Sequence, residues 1–520
     1  MRIKFLILIL ISTTLLSLRF GEEELAIDVA KKQSLPDFSE LSPKYELRAA
    51  WVTTFTNLDW PSQKGLTADE QKAEFIRLLD EFQMNKINCV IVQIRASGDA
   101  FYPSKYAPWS EYLTGTQGKS PGYDPLQFMI QECHKRNMEL HAWLNPFRAV
   151  SSIKFSNVSD GNLYKKHPEW FFTYGQSIYF NPGIKEVRQH ILNIIGEVVH
   201  NYDVDAIHFD DYFYPYSVEG ETIGDSKTFE KNKKGFSNIH DWRRNNINEL
   251  IKETAKFIKF TKSHVKFGVS PLAIWRNIKQ DPQGSQTESS QTSYDNLYCD
   301  TKKWLDKGWV DYVVPQLYWS RKSQYTSYNN LLEWWSSRSY KGHIYIGQAL
   351  YRLEDQNSGR YSVNEVLEQI KLNRKESTIQ GNIFFRAKTF RNNPQNIQDS
   401  LQNGLYKHYA LIPPMKWIDS IPPCSPSDLK IKNNGTGLFL KWKEPEFKSN
   451  EDKTNYYVVY RFKVDEEINL KTANNIISIV RQPMYFDQEV KQGNRYKYVI
   501  TSVDRLHNES EEYVMEEEGF

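Results

Sequence analysis

Between Leu47 and Ala387 a short β-type run and an amphipathic segment alternate eight times, and this restricts the chain to very few architectures. The runs are "LRAAWVTT" from Leu47, "CVIVQIR" from Cys89, "ELHAWLN" from Glu139 and "AIHFD" from Ala206. They continue with "KFGVS" from Lys266, "DYVVPQLYW" from Asp311, "HIYIGQA" from His343 and "NIFFRA" from Asn382. Helix-type stretches such as "QKAEFIRLLDEFQMNKI" from Gln71 and "KEVRQHILNIIGEVVHNY" from Lys185 lie between them. Eight strands alternating with helices predict an α/β fold, a closed (β/α)8 TIM barrel over residues 45–415. A doubly wound sheet is the alternative, but no glycine-rich turn follows the first strand.

In a closed barrel, alternate side chains point inward and functional groups gather at the C-terminal strand ends. In "AIHFDD", apolar Ile207 and Phe209 face the helices, which sends His208 and Asp210 inward, with Asp211 opening the loop. The same reading sends Gln93 and Arg95 inward, and likewise His141, Trp143 and Asn145. Ser270, Gln316, Tyr318 and Arg386 follow from the later runs. Arg95, Asn145, Asp210, Ser270, Gln316 and Arg386 thus meet at one rim, a polar ring for which a purely structural barrel has little use. "HIYIGQA" breaks the pattern, because Gln348 falls in register with Ile344 and Ile346 unless a bulge intervenes. Long loops rich in Trp and Tyr, carrying Tyr212 and Trp275 among others, lie on the same face and describe an extended cleft for a chain-like sugar.

Two adjacent carboxylates at that rim need a reason, since burying one without a partner costs several kcal/mol. Glycosidic bond cleavage generally uses two carboxyl groups, one protonated and one ionised, and crowding drives their pKa values apart. Asp210, held on the strand, is the expected catalytic group and Asp211 its expected partner. Neighbouring residues of a strand point opposite ways, so Asp59 and Asp99 rival Asp211 for that place. His141, His208 and Asp210 lack the H-x-H or H-E-x-x-H spacing of a metal site, so neither metal nor cofactor is expected. No G-x-S-x-G elbow supports acyl transfer.

Outside the barrel, Arg2 and Lys4 before the apolar run Phe5 to Leu18 predict an export signal over residues 1–20. A periplasmic, envelope or secreted location follows, with a membrane tether only if the segment stays uncleaved. Residues 21–44 read as a polar linker, and residues 416–426, with "IPPCSPSD", as a proline-rich hinge. From residue 427 to 520 helical signals vanish and short strands predict an immunoglobulin-like sandwich. "SPSDLKI", "LFLKWKEP", "YYVVYRF" and "GNRYKYVITSVDRLHNES" resemble a fibronectin type III domain, which implies a spacer or a contact for an envelope protein partner. Cys89, Cys133, Cys299 and Cys424 show no metal spacing and are expected as free thiols, with a Cys89–Cys133 bridge the one pairing considered. Lys+Arg 66 against Asp+Glu 64 leaves no basic footprint for nucleic acid.

The motifs "ELRAAWVTTFTNLDWPS", "YAPWSEYLTGTQGKSPGYDPLQFMIQECHKRNMELHAWLNPFR", "VDAIHFDDYFYP", "SPLAIWRN" and "VDYVVPQLYW" resemble the bacterial glycosyl hydrolase-like family 10 from Glu46 to about Leu411. That resemblance implies a TIM-barrel glycosidase of the cell envelope, related to hydrolases of peptidoglycan strands lacking stem peptides. It implies that Asp210, Asp211, Asn145, Arg148, Gln316, Tyr318 and Trp319 line the cleft. Leu272, Ala273 and Cys299 depart from the relatives' usual residues, and the paired glutamates of true family 10 xylanases are missing. The expected function is glycan hydrolysis by a carboxylate acid/base mechanism. The alternatives are a non-catalytic carbohydrate-binding scaffold and a hydrolase of an external polysaccharide.

Overall fold

The computed structural model describes residues 42–520 apart from 152–157, 358, 448, 450 and 451. The expected signal segment and most of the linker therefore lie outside the described residues. Eight parallel strands close into a barrel: β1 (Leu47–Val52), β2 (Cys89–Arg95), β3 (Glu139–Leu144), β4 (Ala206–Phe209), β5 (Lys266–Val269), β6 (Tyr312–Val313), β7 (His343–Gln348) and β8 (Ile379–Phe384). The ring runs in sequence order and closes through β1 on β8, Leu47 opposite Gly381. Each strand is followed by a helix: α1 (Ala68–Met84), α2 (Pro125–Lys135), α3 (Lys185–Asn201), α4 (Ile239–Thr261), α5 (Thr301–Asp306), α6 (Tyr328–Ser336), α7 (Val363–Lys375) and α8 (Ala387–Asn392). Local sequence sets these boundaries, as at α1, where Thr67 and Glu70 form a reciprocal capping box. Among the described residues no helix is long and apolar enough to cross a membrane.

The barrel interior is mixed. Leu47, Ala49, Trp51, Ile91, Trp143, Ile383 and Tyr345 supply the apolar part. Through it runs a chain of polar groups. Glu139 accepts from Lys266 Nζ and bonds His141 Nε2 at 2.9 Å, and His141 Nδ1 meets the Tyr312 hydroxyl at 2.8 Å. The same hydroxyl lies 3.1 Å from His208 Nδ1, and His208 Nε2 lies 3.0 Å from Ser270 Oγ at the upper end. Burial works against charge on Glu139, yet Lys266 holds its carboxyl well below the usual carboxylate range. Gly268 leaves room for the Tyr312 ring, which a β-carbon there would overlap.

Residues beyond 426 form the all-β sandwich. Its strands are β9 (Ser427–Asn433), β10 (Leu438–Lys443), β11 (Tyr456–Lys463), β12 (Ile476–Val480), β13 (Met484–Asp487), β14 (Arg495–Val503) and β15 (Val514–Gly519). Sheet β9-β10-β13 packs on sheet β12-β11-β14-β15 around Leu438, Leu440, Trp442, Tyr457, Val459 and Tyr498. The other face of the second sheet, with Tyr456, Val458, Tyr460 and Phe462, is buried too and packs with Leu411 and Tyr45. Consecutive residues of β11 are therefore buried on both faces, which a tethered spacer would not require.

The expected hinge is likewise held. The Trp417 indole donates to Asp311 at 3.1 Å and packs edge-on to His343, while Ser502 Oγ donates to the Cys424 carbonyl at 2.5 Å. Of the linker, Pro43 bridges Thr472 and Lys44 pairs with Glu509 at 2.5 Å. At the barrel floor His507 Nε2 reaches Glu139 at 2.6 Å, and Arg505 pairs with Asp203 at 2.6 Å. Burial keeps the His507 imidazole below its ordinary pKa, so Lys266 supplies the positive charge and His507 a neutral hydrogen bond. All four cysteines are free, three of them buried.

Truncation after Pro426 removes His507 from Glu139 and uncovers Leu411. The shortened protein is expected to be insoluble or to melt at least about 10 °C lower in a thermal scan, since losing several buried contacts shifts Tm by a few degrees per kcal/mol. A truncated barrel with unchanged Tm would restore the spacer reading.

Candidate active site

A cleft of about 430 Å³ opens at the C-terminal ends of the barrel strands. Its walls come from most of the ring. β1 and its loop give Trp51, Thr53, Phe55 and Leu58; β2 gives Gln93 and β3 gives Trp143; the turns after β4, β5 and β6 give Asp210, Ser270, Gln316 and Tyr318; Phe385 follows β8. Arg148 reaches in from a small antiparallel sheet inserted after β3, where Arg148 pairs with Tyr179. Trp51, Trp143, Phe385 and Tyr318 form apolar faces suited to the C–H surface of a sugar ring. Tyr318 and Phe385 stack with centroids 6.1 Å apart.

Asp210 is the one carboxylate among the described residues that lines this cleft. Its Oδ1 accepts from the Asp211 backbone N–H at 2.9 Å and from Gln316 Nε2 at 3.2 Å; the same Gln316 amide donates to the Ser270 carbonyl at 2.9 Å. Burial pushes the Asp210 carboxyl up, against these hydrogen bonds and the field of Arg148. Asp211 sits behind it, 2 % exposed, with Tyr216 donating to Oδ2 and Oδ1 unpartnered. Burial first, and the charge of Asp210 second, push the Asp211 carboxyl well above the usual range. The pair therefore holds a proton more tightly than a free carboxyl would, with Asp211 its favoured site.

The Arg148 guanidinium lies 3.7 Å from the Tyr212 ring centroid and 5.4 Å from that of Phe55. Among the described residues it stacks on rings rather than pairing with a carboxylate, and it leaves one cation facing the cleft.

Of the residues singled out from sequence, the cleft gathers Asp210, Arg148, Tyr212, Ser270, Gln316 and Tyr318, together with the inward-pointing Gln93 and Trp143. Others stand elsewhere. The β2–β3 register shifts between Gln93 and Arg95, so Arg95 turns out of the barrel and donates to the Asn145 carbonyl at 2.5 Å. There, beneath Phe180, burial lowers its pKa to about 10. Asn145 is fully buried and accepts from the Trp143 indole at 3.1 Å, so it braces a cleft residue from behind. His208 lies one layer below, where burial and His141 keep it neutral.

Trp275 packs on Trp334, 6.1 Å between centroids, away from the cleft. Trp319 is half-buried beside α7, its carbonyl accepting from Gln369 at 3.3 Å. Arg386 begins α8 and lies 3.8 Å from Asp59, because β8 ends at Phe384 and its inward residues are Ile383 and Phe385. Sequence reasoning did not assign Trp51, Thr53, Phe55, Leu58 or Phe385 to the cleft. Alternation along "LRAAWV" would have found Trp51, in phase with Leu47 and Ala49.

The rivals for the second carboxylate are occupied. Asp59 accepts from the backbone N–H of Thr53 at 2.8 Å and of Lys388 at 2.9 Å, tying two loops together. Asp99 is 3 % exposed near Ser110 and Arg95, outside the cleft. The buried group Cys89, Glu139 and His141 is the cluster of metal-ligand type among the described residues, but it lies on the barrel floor and already holds the Lys266 ammonium.

The sequence pattern of the family described as Glycosyl hydrolase-like 10 matches residues 46–362. The chain is 43% identical over 482 residues to glycosyl hydrolase YngK of Bacillus subtilis, covering 92% of this chain and 94% of that protein. It is 37% identical over 392 residues to glycosyl hydrolase DigH of Escherichia coli K12, covering 70% and 88%. Among solved structures, the glycoside hydrolase domain of PgaB (BpsB) from Bordetella bronchiseptica superposes with a TM-score of 0.47 at 11% identity, over 69% of this chain and 98% of that domain.

Asp211 binds a proton more tightly folded than unfolded, so its stabilising contribution is present at low pH and is lost as pH rises through the raised value. Asp211→Asn keeps the shape and removes the ionisation. Its Tm gain over the native protein is expected to be larger at pH 8 than at pH 5. An equal shift at both pH values would show that Asp211 does not titrate in that window.

Proposed function

The chain belongs to the glycosyl hydrolase-like 10 family and is a glycosyl hydrolase, and we propose that it cleaves an envelope glycan, peptidoglycan strands lacking stem peptides, after export. The observation that carries the reading is Asp210, the cleft carboxylate whose burial raises its pKa toward the working range of a general acid. In its protonated form Asp210 gives its proton to the leaving glycosidic oxygen. The Asp211 N–H and Gln316 amide then stabilise the carboxylate that remains. Aromatic walls position the sugar rings.

Arg148 supports the choice of glycan. Removing the stem peptide from a muramic residue frees its lactyl carboxylate, and a guanidinium that lines the cleft and has no carboxylate in salt-bridge contact among the described residues is suited to receive one. A neutral external polysaccharide offers this cation hydroxyl acceptors but no charge to pair with. Export rests on the charged and apolar N-terminal run. The sandwich is read as a fibronectin type III-like module, on its three-plus-four strand order.

The test uses the purified protein and Asp210→Asn on denuded glycan strands, intact sacculi and a neutral polysaccharide panel, reading released reducing ends. Native protein is expected to act on denuded strands, and the variant to lose about 10²–10⁴-fold, the usual worth of a positioned acid. Activity should fall as pH rises through the Asp210 value. Equal release by both forms would remove Asp210 from this role; binding by both without release would favour the scaffold reading.

A further inference from the structure

Hydrolysis by two protein carboxyls needs them on either side of the sugar, about 5–5.5 Å apart for a nucleophile or about 6.5–9.5 Å for a water-activating base. Among the described residues the cleft does not offer that pair. Both oxygens of Asp59 are taken by backbone N–H groups and its side chain is wholly buried. Asp99 is enclosed near Arg95 outside the cleft. Asp211 is the chain neighbour of Asp210, tied to it through the Asp211 N–H and held from behind by Tyr216. Two acids joined in this way stand on one side of a bound ring. They cannot face each other across it.

We propose that the attacking group comes from the substrate: the 2-acetamido group of the sugar whose bond is cleaved. The class of substrate is thereby a glycan with an N-acetylated amino sugar at that position. This rests on the reading of Asp210 as acid and deepens it. The acetamido carbonyl oxygen directs a lone pair at C1 while the C1–O glycosidic bond breaks. The released electron pair stays on the leaving oxygen, which takes the Asp210 proton. The cyclic oxazolinium formed is balanced by the Asp210 carboxylate. Water then adds to C1, the C1–O bond to the acetamido group opens and returns its electrons to the amide, and the water's proton goes back to Asp210. Hydrolysis is complete, with the anomeric configuration retained.

The cleft suits this course. An acetyl methyl has an apolar floor in Trp51, Trp143 and Phe385. An attack within one bound sugar needs no second carboxyl, because proximity supplies its rate. Asp211 acts as a positioning residue, keeping a proton and a backbone donor behind Asp210.

The test compares denuded glycan strands in three forms: native N-acetyl, N-trifluoroacetyl (a poorer nucleophile of nearly the same size) and N-propionyl. The full-length protein is expected to cut the trifluoroacetyl form at least about 10²-fold more slowly at similar Kd, while the propionyl form is cut. A sugar thiazoline, the stable likeness of the oxazolinium, should compete for the cleft. Trifluoroacetyl strands cut as fast as native ones, or a 2-fluoro sugar trapped covalently on an aspartate, would overturn the proposal and leave the glycosidase reading standing. No release from any of the three forms would overturn both.

Discussion

The buried ion pair of Glu139 and Lys266 is the interaction on which most of this structure depends. Both groups are almost without solvent, and a charge left alone there costs several kcal/mol. The fold meets that cost by surrounding Glu139 with Lys266, His141 and His507, so neighbouring strands and the sandwich are fastened to one carboxylate. His141 passes the constraint upward to Tyr312, and Tyr312 to His208, which bonds Ser270 on the cleft wall. Every member is positioned by the one before it. Polar chains of this kind are rigid when fully satisfied and fragile when one member is lost. Gly268 belongs to the same constraint, because only a residue without a β-carbon lets the Tyr312 ring sit within the barrel.

Much of this was legible in the sequence wherever one face of a strand is uniformly apolar. Ile207 and Phe209 look outward, so His208 and Asp210 had to look in, and they do. The reading failed where polar groups fill the layer between barrel and helices. Asn382 bonds Gln348 and Asn373 there, and Gln348 also bonds Tyr328. A polar Asn382 facing the helices inverts the apparent phase of "NIFFRA", so Arg386 was expected where Phe385 stands; a slip of one residue exchanges the two faces. The same layer accounts for Gln348, which bonds Tyr328 and Asn382 there, while the β7–β8 register shifts between Ile344 and Ile346, the kind of irregularity expected in that strand. Arg95 failed for another reason: a register shift after Gln93 ends the alternation that pointed it inward.

The C-terminal sandwich shows the opposite limit. Its strands could be read from alternation, but nothing in that pattern tells a sheet with one buried face from a sheet with two. β11 carries apolar residues at nearly every position, "YYVVYRF", and that run was the available signal. A strand solvated on one side alternates; this one does not, because Tyr457 and Val459 fill the sandwich while Tyr456, Val458 and Tyr460 meet the barrel side. His507, at a positive φ in the loop after β14, is then carried to Glu139.

These constraints converge on Asp210. It follows β4 directly, two residues beyond His208, so the polar chain beneath fixes the strand end from which it projects. Gln316 fixes one oxygen by holding Asp210 and the Ser270 carbonyl together at the cleft wall. Two opposing influences then set its proton affinity: burial raises it, whereas Arg148 and the donor groups lower it. Asp211 has fewer donors and the charge of Asp210 beside it, and it is pushed higher. The order of the two acids thus follows from their surroundings. The inner one retains its proton, and the outer one, better served by hydrogen bonds, is the one able to give a proton up and take it back.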